Sequence, residues 1–353
     1  MRVINLEIYT FIPPMGRCAP YAVNHCDDMA DRTNLNKGSG IMSKMSVIIP
    51  LYRGRDTLAS TLHSVAMQSI INETEIVVVN DADNVNYADI LAKFDDLNIV
   101  YVQREKNGGC SAARNTGIKN AKNSFITFLD SDDNFVSPLS LEIMYNRIVA
   151  EKADVLVSTF ESEMRFANGV AIKQMKNAMT WMHGKVFRRQ YLLNNNLFFK
   201  ENLRLNEDME FNQIAFDLGG KVAEIPMVTY LWRDNPKSIT HESLYENKKW
   251  FVLAAIESLK DSTERDIACE KIRLRVLQNL CMIYQYYDIV INDTPEMAED
   301  YIAVCKDFWR LCEPLVKDVS DEEARKIFCA AMRDYEDIPS VTFVEFLNKL
   351  KAD

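Results

Sequence analysis

The 353-residue chain has no apolar run near the roughly 20 residues of a membrane span, so it is not expected to cross a bilayer as a helix. Its eight cysteines form no C-x-x-C pair, which argues against a zinc site. Several, such as Cys281, Cys305 and Cys312, fall on apolar faces of expected helices, where a free thiol behaves as a small hydrophobe. A reducing cytoplasm is the simplest compartment. Basic residues are not in excess: the net charge of −10 disfavours binding nucleic acid through bulk electrostatics and leaves room only for a local basic groove. The segment Met1–Pro14 is interrupted by Glu7 and lacks a clean small-residue cleavage site, so it reads as neither a secretory signal nor an anchor. The composition, 48% hydrophobic and 26% charged, is that of a globular protein with two domains, or one large domain with an appendage.

Residues 1–44 carry Pro-Pro, Asn-rich and Gly-Ser-Gly stretches with little periodicity, and are expected to form an extension or linker. From Ser46 strands and helices alternate. Ser46–Pro50, Glu75–Val79, Asn98–Val102, Phe125–Leu129 and Asp154–Phe160 read as strands. Between them lie a helix marked by Leu58, Leu62 and Val65 and a short helix over Asp89–Phe94. A third helix is capped by Ser111 and runs to about Asn120, and a fourth starts at Ser137-Pro138. This order predicts an α/β fold with a mostly parallel sheet sandwiched by helices, whose ligands bind beyond the carboxyl ends of the strands. After about Thr240 the pattern is helical throughout, with Ile272, Val276, Leu280 and Tyr284 on one face and Tyr301, Val304, Phe308 and Leu311 on another.

The richest stretch is Phe125–Asn134, an apolar strand running into Asp130, Asp132 and Asp133. Side chains alternate along a strand, so Asp130 and Asp132 are expected to point the same way. Crowded carboxylates repel unless a cation lies between them, and a hard ion such as Mg²⁺ or Mn²⁺ suits oxygen ligands and phosphates. Acidic turns after strands are common, so the neighbouring motifs decide the meaning.

Four segments in register resemble the family 2 glycosyltransferases of GT-A fold: Ser46-Val-Ile-Ile-Pro-Leu-Tyr52, Glu75-Ile-Val-Val-Val-Asn-Asp-Ala-Asp83, Asn107-Gly-Gly-Cys-Ser-Ala-Ala-Arg-Asn-Thr-Gly117 and Phe128-Leu-Asp-Ser-Asp-Asp133. Trp181–Arg189, Asn206–Phe211 and Tyr230–Arg233 extend the likeness, so it covers about residues 45–241, leaving 242–353 as a helical C-terminal region. The resemblance implies a GT-A domain that moves a sugar, with inversion, from a nucleotide donor to an acceptor hydroxyl. It implies that Asp81 binds the base of a UDP-sugar, with Pro50, Tyr52, Asn107, Gly108, Arg114, Asp130, Ser131 and Lys185 completing the donor site. Asp132 and Asp133 would hold Mn²⁺ or Mg²⁺, with His241 a further ligand. Asp208 matches the catalytic base, with Glu207 beside it to bind acceptor or orient the loop.

Each residue also has a plainer reading. Arg114 could simply pair with a strand-end aspartate, the acidic run from Glu207 to Glu210 suits the first turn of any helix, and Lys185, Arg188 and Arg189 could form a solvated face. The family's usual Asp-Asp-Gly-Ser here reads Asn80-Asp81-Ala82-Asp83, which puts that loop's geometry in question. The acceptor is not legible: a surface polysaccharide, lipid-linked oligosaccharide, protein or modified nucleic-acid base all fit, as does peripheral membrane contact or self-association through the tail. A non-catalytic sugar-nucleotide or glycan-binding protein on the same fold is the main rival. A nucleotidyltransferase would carry a Gly-rich loop where Pro50-Leu-Tyr-Arg53 stands.

Overall fold

The computed structural model describes residues 44–166, 169–175, 181–236, 238, 244–317 and 343–351. The expected linker before Lys44 and the candidate ligand His241 lie outside them. A nine-stranded sheet runs through the N-terminal two thirds. Its strands are β1 (Met45–Leu51), β2 (Thr74–Asn80), β3 (Ile99–Gln103), β4 (Phe125–Phe128), β5 (Asn134–Phe135), β6 (Val155–Phe166), β7 (Gly169–Met175), β8 (Lys185–Arg188) and β9 (Val222–Trp232). The order is β3-β2-β1-β4-β8-β6-β9-β5, with β7 on the flank of β6. β1–β4, β6 and β9 share one direction, and β5, β7 and β8 run against it. The GT-A-type, mostly parallel α/β sheet with a helical appendage is thus present.

β1 and β2 are buried along their whole length, because helices cover both faces of this part of the sheet. The chain builds outward from β1 to β2 and β3, then returns to place β4 on the other side of β1. That reversal opens a crevice at the carboxyl ends of β1 and β4, where ligands of open α/β sheets bind. Pro50 marks the opening: pairing of β1 with β4 stops at Ile48, so the missing proline N–H costs nothing on that side.

The helices are α1 (Leu58–Ala66), α2 (Ala88–Leu91), α3 (Gly109–Asn120), α4 (Ser140–Ala150), α5 (Arg189–Asn194), α6 (Glu207–Asp217), α7 (Leu244–Glu264), α8 (Cys269–Asp293), α9 (Ala298–Val316) and α10 (Phe343–Lys351). One core lies between the sheet and α1 and α4, built on Val47, Ile49, Leu62, Leu141 and Met144. The other starts at Ile48 and Val77, passes through Phe128 and Phe211, and continues without a break into Val252, Leu280, Tyr284 and Phe308 of the tail. The tail is therefore packed against the back of the sheet domain.

Two helix starts differ from expectation. Ser111 lies inside the first turn of α3, which begins at Gly109, and its hydroxyl is buried without a hydrogen-bond partner. The cap comes from elsewhere in the chain, as described below. α4 begins at Ser140, after Ser137 and Pro138. Strands β7, β8 and β9 were not anticipated as such.

Gly117 fixes how closely α3 approaches the sheet. A Cβ there would lie 2.3 Å from Ile48 Cγ2. Gly117→Ala must push α3, with its N-terminal loop, away from β1. Overpacking of this kind costs about 1–3 kcal/mol, and the urea unfolding midpoint of the variant is expected to fall accordingly.

Candidate active site

At the end of β2, Asp81 is buried and accepts hydrogen bonds from the backbone N–H groups of Gly108 at 3.1 Å and Gly109 at 2.7 Å. It thereby caps α3 from a distant strand, satisfying donors that a helix N-terminus leaves open and placing a negative charge where the helix dipole favours it. Asn107 Nδ2 donates to the Asp81 carbonyl at 3.1 Å. The guanidinium of Arg104 also donates to the Asp81 carboxylate. Arg104 was not picked out from the sequence, although a basic residue just past β3 and three before Asn107 was a usable signal.

The altered loop after Asp81 has a coherent geometry. Ala82 takes the left-handed conformation, φ 58°, where the family pattern has glycine. A non-glycine residue there costs roughly 1–2 kcal/mol. Asn80 Nδ2 donates to Asp83 Oδ1 at 3.0 Å, and Asp83 N–H donates back to Asn80 Oδ1 at 3.0 Å. Tyr87 donates to Asp83 Oδ2 at 2.7 Å, and the Arg53 N–H reaches the same oxygen. Burial pushes the Asp83 carboxyl up, but these hydrogen bonds outweigh it and hold the group below the usual carboxylate range. The Asp…Ser pattern of the family has become Asn…Asp, so donor and acceptor have exchanged places. An aspartate at position 80 would set two carboxylates face to face. Tyr52 stands exposed at the mouth of the crevice, with the Arg53 guanidinium 5.0 Å from its ring centre.

The acid turn corrects the strand-alternation reading. β4 ends at Phe128, and Asp133 N–H donates to the Asp130 carbonyl at 3.0 Å, closing a turn. Periodicity two no longer applies past that point. Asp130, Asp133 and His183 come together, with one ligand atom of each within 4.8 Å of the others. Among the described residues this grouping adds Asp130 and His183 to the expected Asp133, while His241 lies outside them. Asp132 instead accepts from Asn235 Nδ2 at 2.7 Å. Asp133 is 1% exposed and accepts from the Tyr230 hydroxyl at 2.5 Å and the Arg233 N–H at 2.8 Å. Burial and the negative charge of Asp130 push both Asp132 and Asp133 above the usual carboxylate range. Burial holds the His183 ring neutral, with its pKa down at about 3, and the ring stacks on Tyr230 at 4.7 Å. Clustered carboxylates in mutual repulsion, beside a neutral imidazole, suit a divalent cation.

Arg114 joins this turn to the start of α6. It donates to Asp130 Oδ1 at 2.9 Å and to Glu207 Oε1 at 2.8 Å, and it is 4% exposed. Its role is the strand-end ion pair, extended to a second carboxylate. Burial would raise the Asp130 carboxyl, but Arg114 more than offsets this and holds it low. Glu207 is raised, because burial outweighs the help from Arg114. Asp208, beside it, is pushed up to about 7 by burial and by the Glu207 charge. The three come from chain positions as far apart as β4 and α6 and meet in one place.

Lys185 is 0% exposed and donates to the Trp181 carbonyl. Arg188 pairs with Asp154 at 3.1 Å, and Arg189 donates to the Ile118 carbonyl at 3.4 Å, so neither is in the acid turn. Ser131 lies in the acid turn itself, and its Oγ would be 2.9 Å from a Cβ placed on Gly54.

Arg114→Met would leave two partly buried carboxylates without their cation. Removing one partner of such a pair costs roughly 3–5 kcal/mol. Arg114 is the main group holding Asp130 low, with His183 a lesser one, so in the variant Asp130 takes up a proton at higher pH. The loss, read by urea unfolding, is therefore expected to be largest near pH 8 and to shrink toward pH 5.

Residues 46–202 match the family model described as glycosyl transferase family 2. Among curated relatives, the chain is 29% identical over 219 residues to "Uncharacterized glycosyltransferase EpsJ" of Bacillus subtilis, covering 56% of this chain and 62% of that one. It is 30% identical over 287 residues to "Minor teichoic acid biosynthesis protein GgaA" of the same organism, covering 73% and 64%. The chain thus spans less than two thirds of either relative. Among solved structures, that of Staphylococcus aureus TarS 1–349 in complex with UDP-GlcNAc superimposes with a TM-score of 0.64 at 21% identity, over 82% of this chain and 89% of that one. Residues 46–202 of this chain thus form a glycosyl transferase family 2 domain.

Proposed function

We propose that the protein transfers a sugar, with inversion, from a nucleotide-sugar donor, a UDP-sugar, to an acceptor hydroxyl. The observation that carries this reading is the double ion pair of Arg114, which joins the acid turn to the helix bearing Asp208. Leaving-group and acceptor machinery then share one pocket.

In this reading the base of the donor lies against Asp81 and Arg104, near Tyr52 and the Asn107-Gly108 loop. Asp130, Asp132 and Asp133, with neutral His183, supply the ligands for Mg²⁺ or Mn²⁺. Such an ion, when bound, offsets charge on the departing diphosphate. Asp208 takes the proton from the acceptor hydroxyl while its oxygen bonds to the anomeric carbon. The bond from that carbon to the diphosphate oxygen breaks, and its electron pair leaves with the diphosphate. A single displacement inverts the anomeric centre. Glu207, fixed by Arg114, orients the loop. A carboxyl near neutrality is suited to this work, because it can both accept and shed a proton at working pH.

The acceptor is read as a cell-surface glycopolymer or its lipid-linked precursor. The support is the relatives' names, which include "Poly(ribitol-phosphate) beta-N-acetylglucosaminyltransferase TarS" and GgaA. Among the described residues no helix is long and apolar enough to cross a membrane. A cytoplasmic site, with contact at the membrane surface, suits a lipid-linked acceptor.

Asp208→Asn is expected to bind the donor like the wild type in calorimetry and to lose roughly 10²–10⁴-fold in kcat. Wild-type turnover in that variant would remove Asp208 as base. Because Asp208 works deprotonated, the wild-type rate is expected to rise as pH passes through about 7. EDTA is expected to abolish release of nucleoside diphosphate, and added Mn²⁺ or Mg²⁺ to restore it. Full activity in EDTA would remove the metal.

A further inference from the structure

Lys185 is a buried ammonium that the reaction just described does not use. It opens β8, between β4 and β6, and none of it is exposed. A charge in such a place is retained only when something compensates its lost hydration. Two features do so. Its Nζ donates to the Trp181 carbonyl, and the same carbonyl accepts from Asn212 Nδ2 at 3.0 Å. The Asp208 carboxylate also faces it and favours its charged form. Asn212 lies four residues beyond Asp208 on α6, so the two share one side of that helix. One carbonyl oxygen therefore ties β8, the segment Trp181–Gly184 and the helix of the base together.

We infer that Lys185 and Asn212, converging on the Trp181 carbonyl, are positioning residues that hold the Asp208 carboxylate in its working place. The inference rests on Asp208 being the base. Asn212 fixes the helix from one side of the carbonyl. Lys185 fixes it from the other and adds a positive charge that favours the deprotonated carboxylate. The other charged groups facing Asp208 are Glu207 on its own helix, which opposes ionisation, and Arg114 on α3, which assists it; the Cys110 thiol on α3 lies near as well.

The test uses the full chain and whichever of UDP-, GDP- and dTDP-sugars the wild type turns over fastest with Mn²⁺. Lys185→Met keeps the side-chain length and removes the charge. It is expected to lower kcat about 10- to 100-fold, to leave the donor KM within about twofold, and to move the acidic limb of the kcat profile upward by about one pH unit. Asn212→Leu removes a hydrogen bond and no charge, so kcat is expected to fall about 3- to 10-fold with the limb in place. A merely structural role would change the amount of folded enzyme and leave the limb of Lys185→Met where it was. A folded Lys185→Met with wild-type kcat and limb would overturn the inference. If Lys185→Met does not fold, wild-type kcat in Asn212→Leu overturns it and a reduced kcat supports it. Failure of the underlying reading looks different: Asp208→Asn would then retain wild-type kcat, or no nucleotide sugar would be turned over.

Discussion

The site depends on one buried guanidinium. Arg114 holds the end of β4 through Asp130 and the start of α6 through Glu207. An arginine fork can satisfy two carboxylates at once, and in a poorly solvated place neither half of that arrangement is stable alone. Sequence separation makes the consequence plain, since Asp130 and Glu207 lie on elements formed far apart in the chain. α3 can deliver Arg114 to both because Gly117 lets it lie against Ile48. Asp81 holds the other end of the same helix by accepting the Gly108 and Gly109 N–H groups. One helix, anchored at its N-terminus and pressed onto β1, thus sets the distance between the Asp81 loop, the acid turn and the start of α6.

The acid turn divides its work among its members. Asp133 accepts from the Tyr230 hydroxyl and the Arg233 N–H and so fixes β9 against the turn. Asp130 is neutralised in part by Arg114. Asp132 is left with Asn235 and with the repulsion of its neighbour. A cation bound there would relieve a repulsion that folding has already built in.

Much of this was legible in residue patterns. β1 and β2 are continuous apolar runs because both sides are covered, and Asp81 and Asp130 stand at strand ends where parallel sheets bind ligands. What escaped was set by tertiary context. Ser111 looked like a helix cap, yet the cap is Asp81, some thirty residues earlier and on another strand. Asp130 and Asp132 looked paired by strand alternation, yet the strand ends two residues before Asp130. β7 lies at the flank of β6 with none of its residues fully buried, and its apolar Val170 and Ile172 are on the exposed side, so no buried apolar face marks it in the sequence. His183 acquires its place only because β8 inserts beside β4 in the antiparallel sense.

The tail follows the same logic from behind. α6 starts with Glu207 and Asp208 at the crevice, and further along Met209, Phe211 and Ile214 join the core shared with α7, α8 and α9. Polar contacts reinforce this side: Ser258 on α7 donates to Gln213 Oε1 at 2.7 Å, and Gln213 Nε2 donates to Asn279 Oδ1 of α8 at 3.2 Å. A buried amide satisfied by two different helices fixes their register as well as their proximity. Asn206, in the left-handed conformation at the start of α6, also donates to the Asn247 carbonyl of α7 at 3.2 Å. α6 is thus held by Arg114 at its start and by the tail along its length.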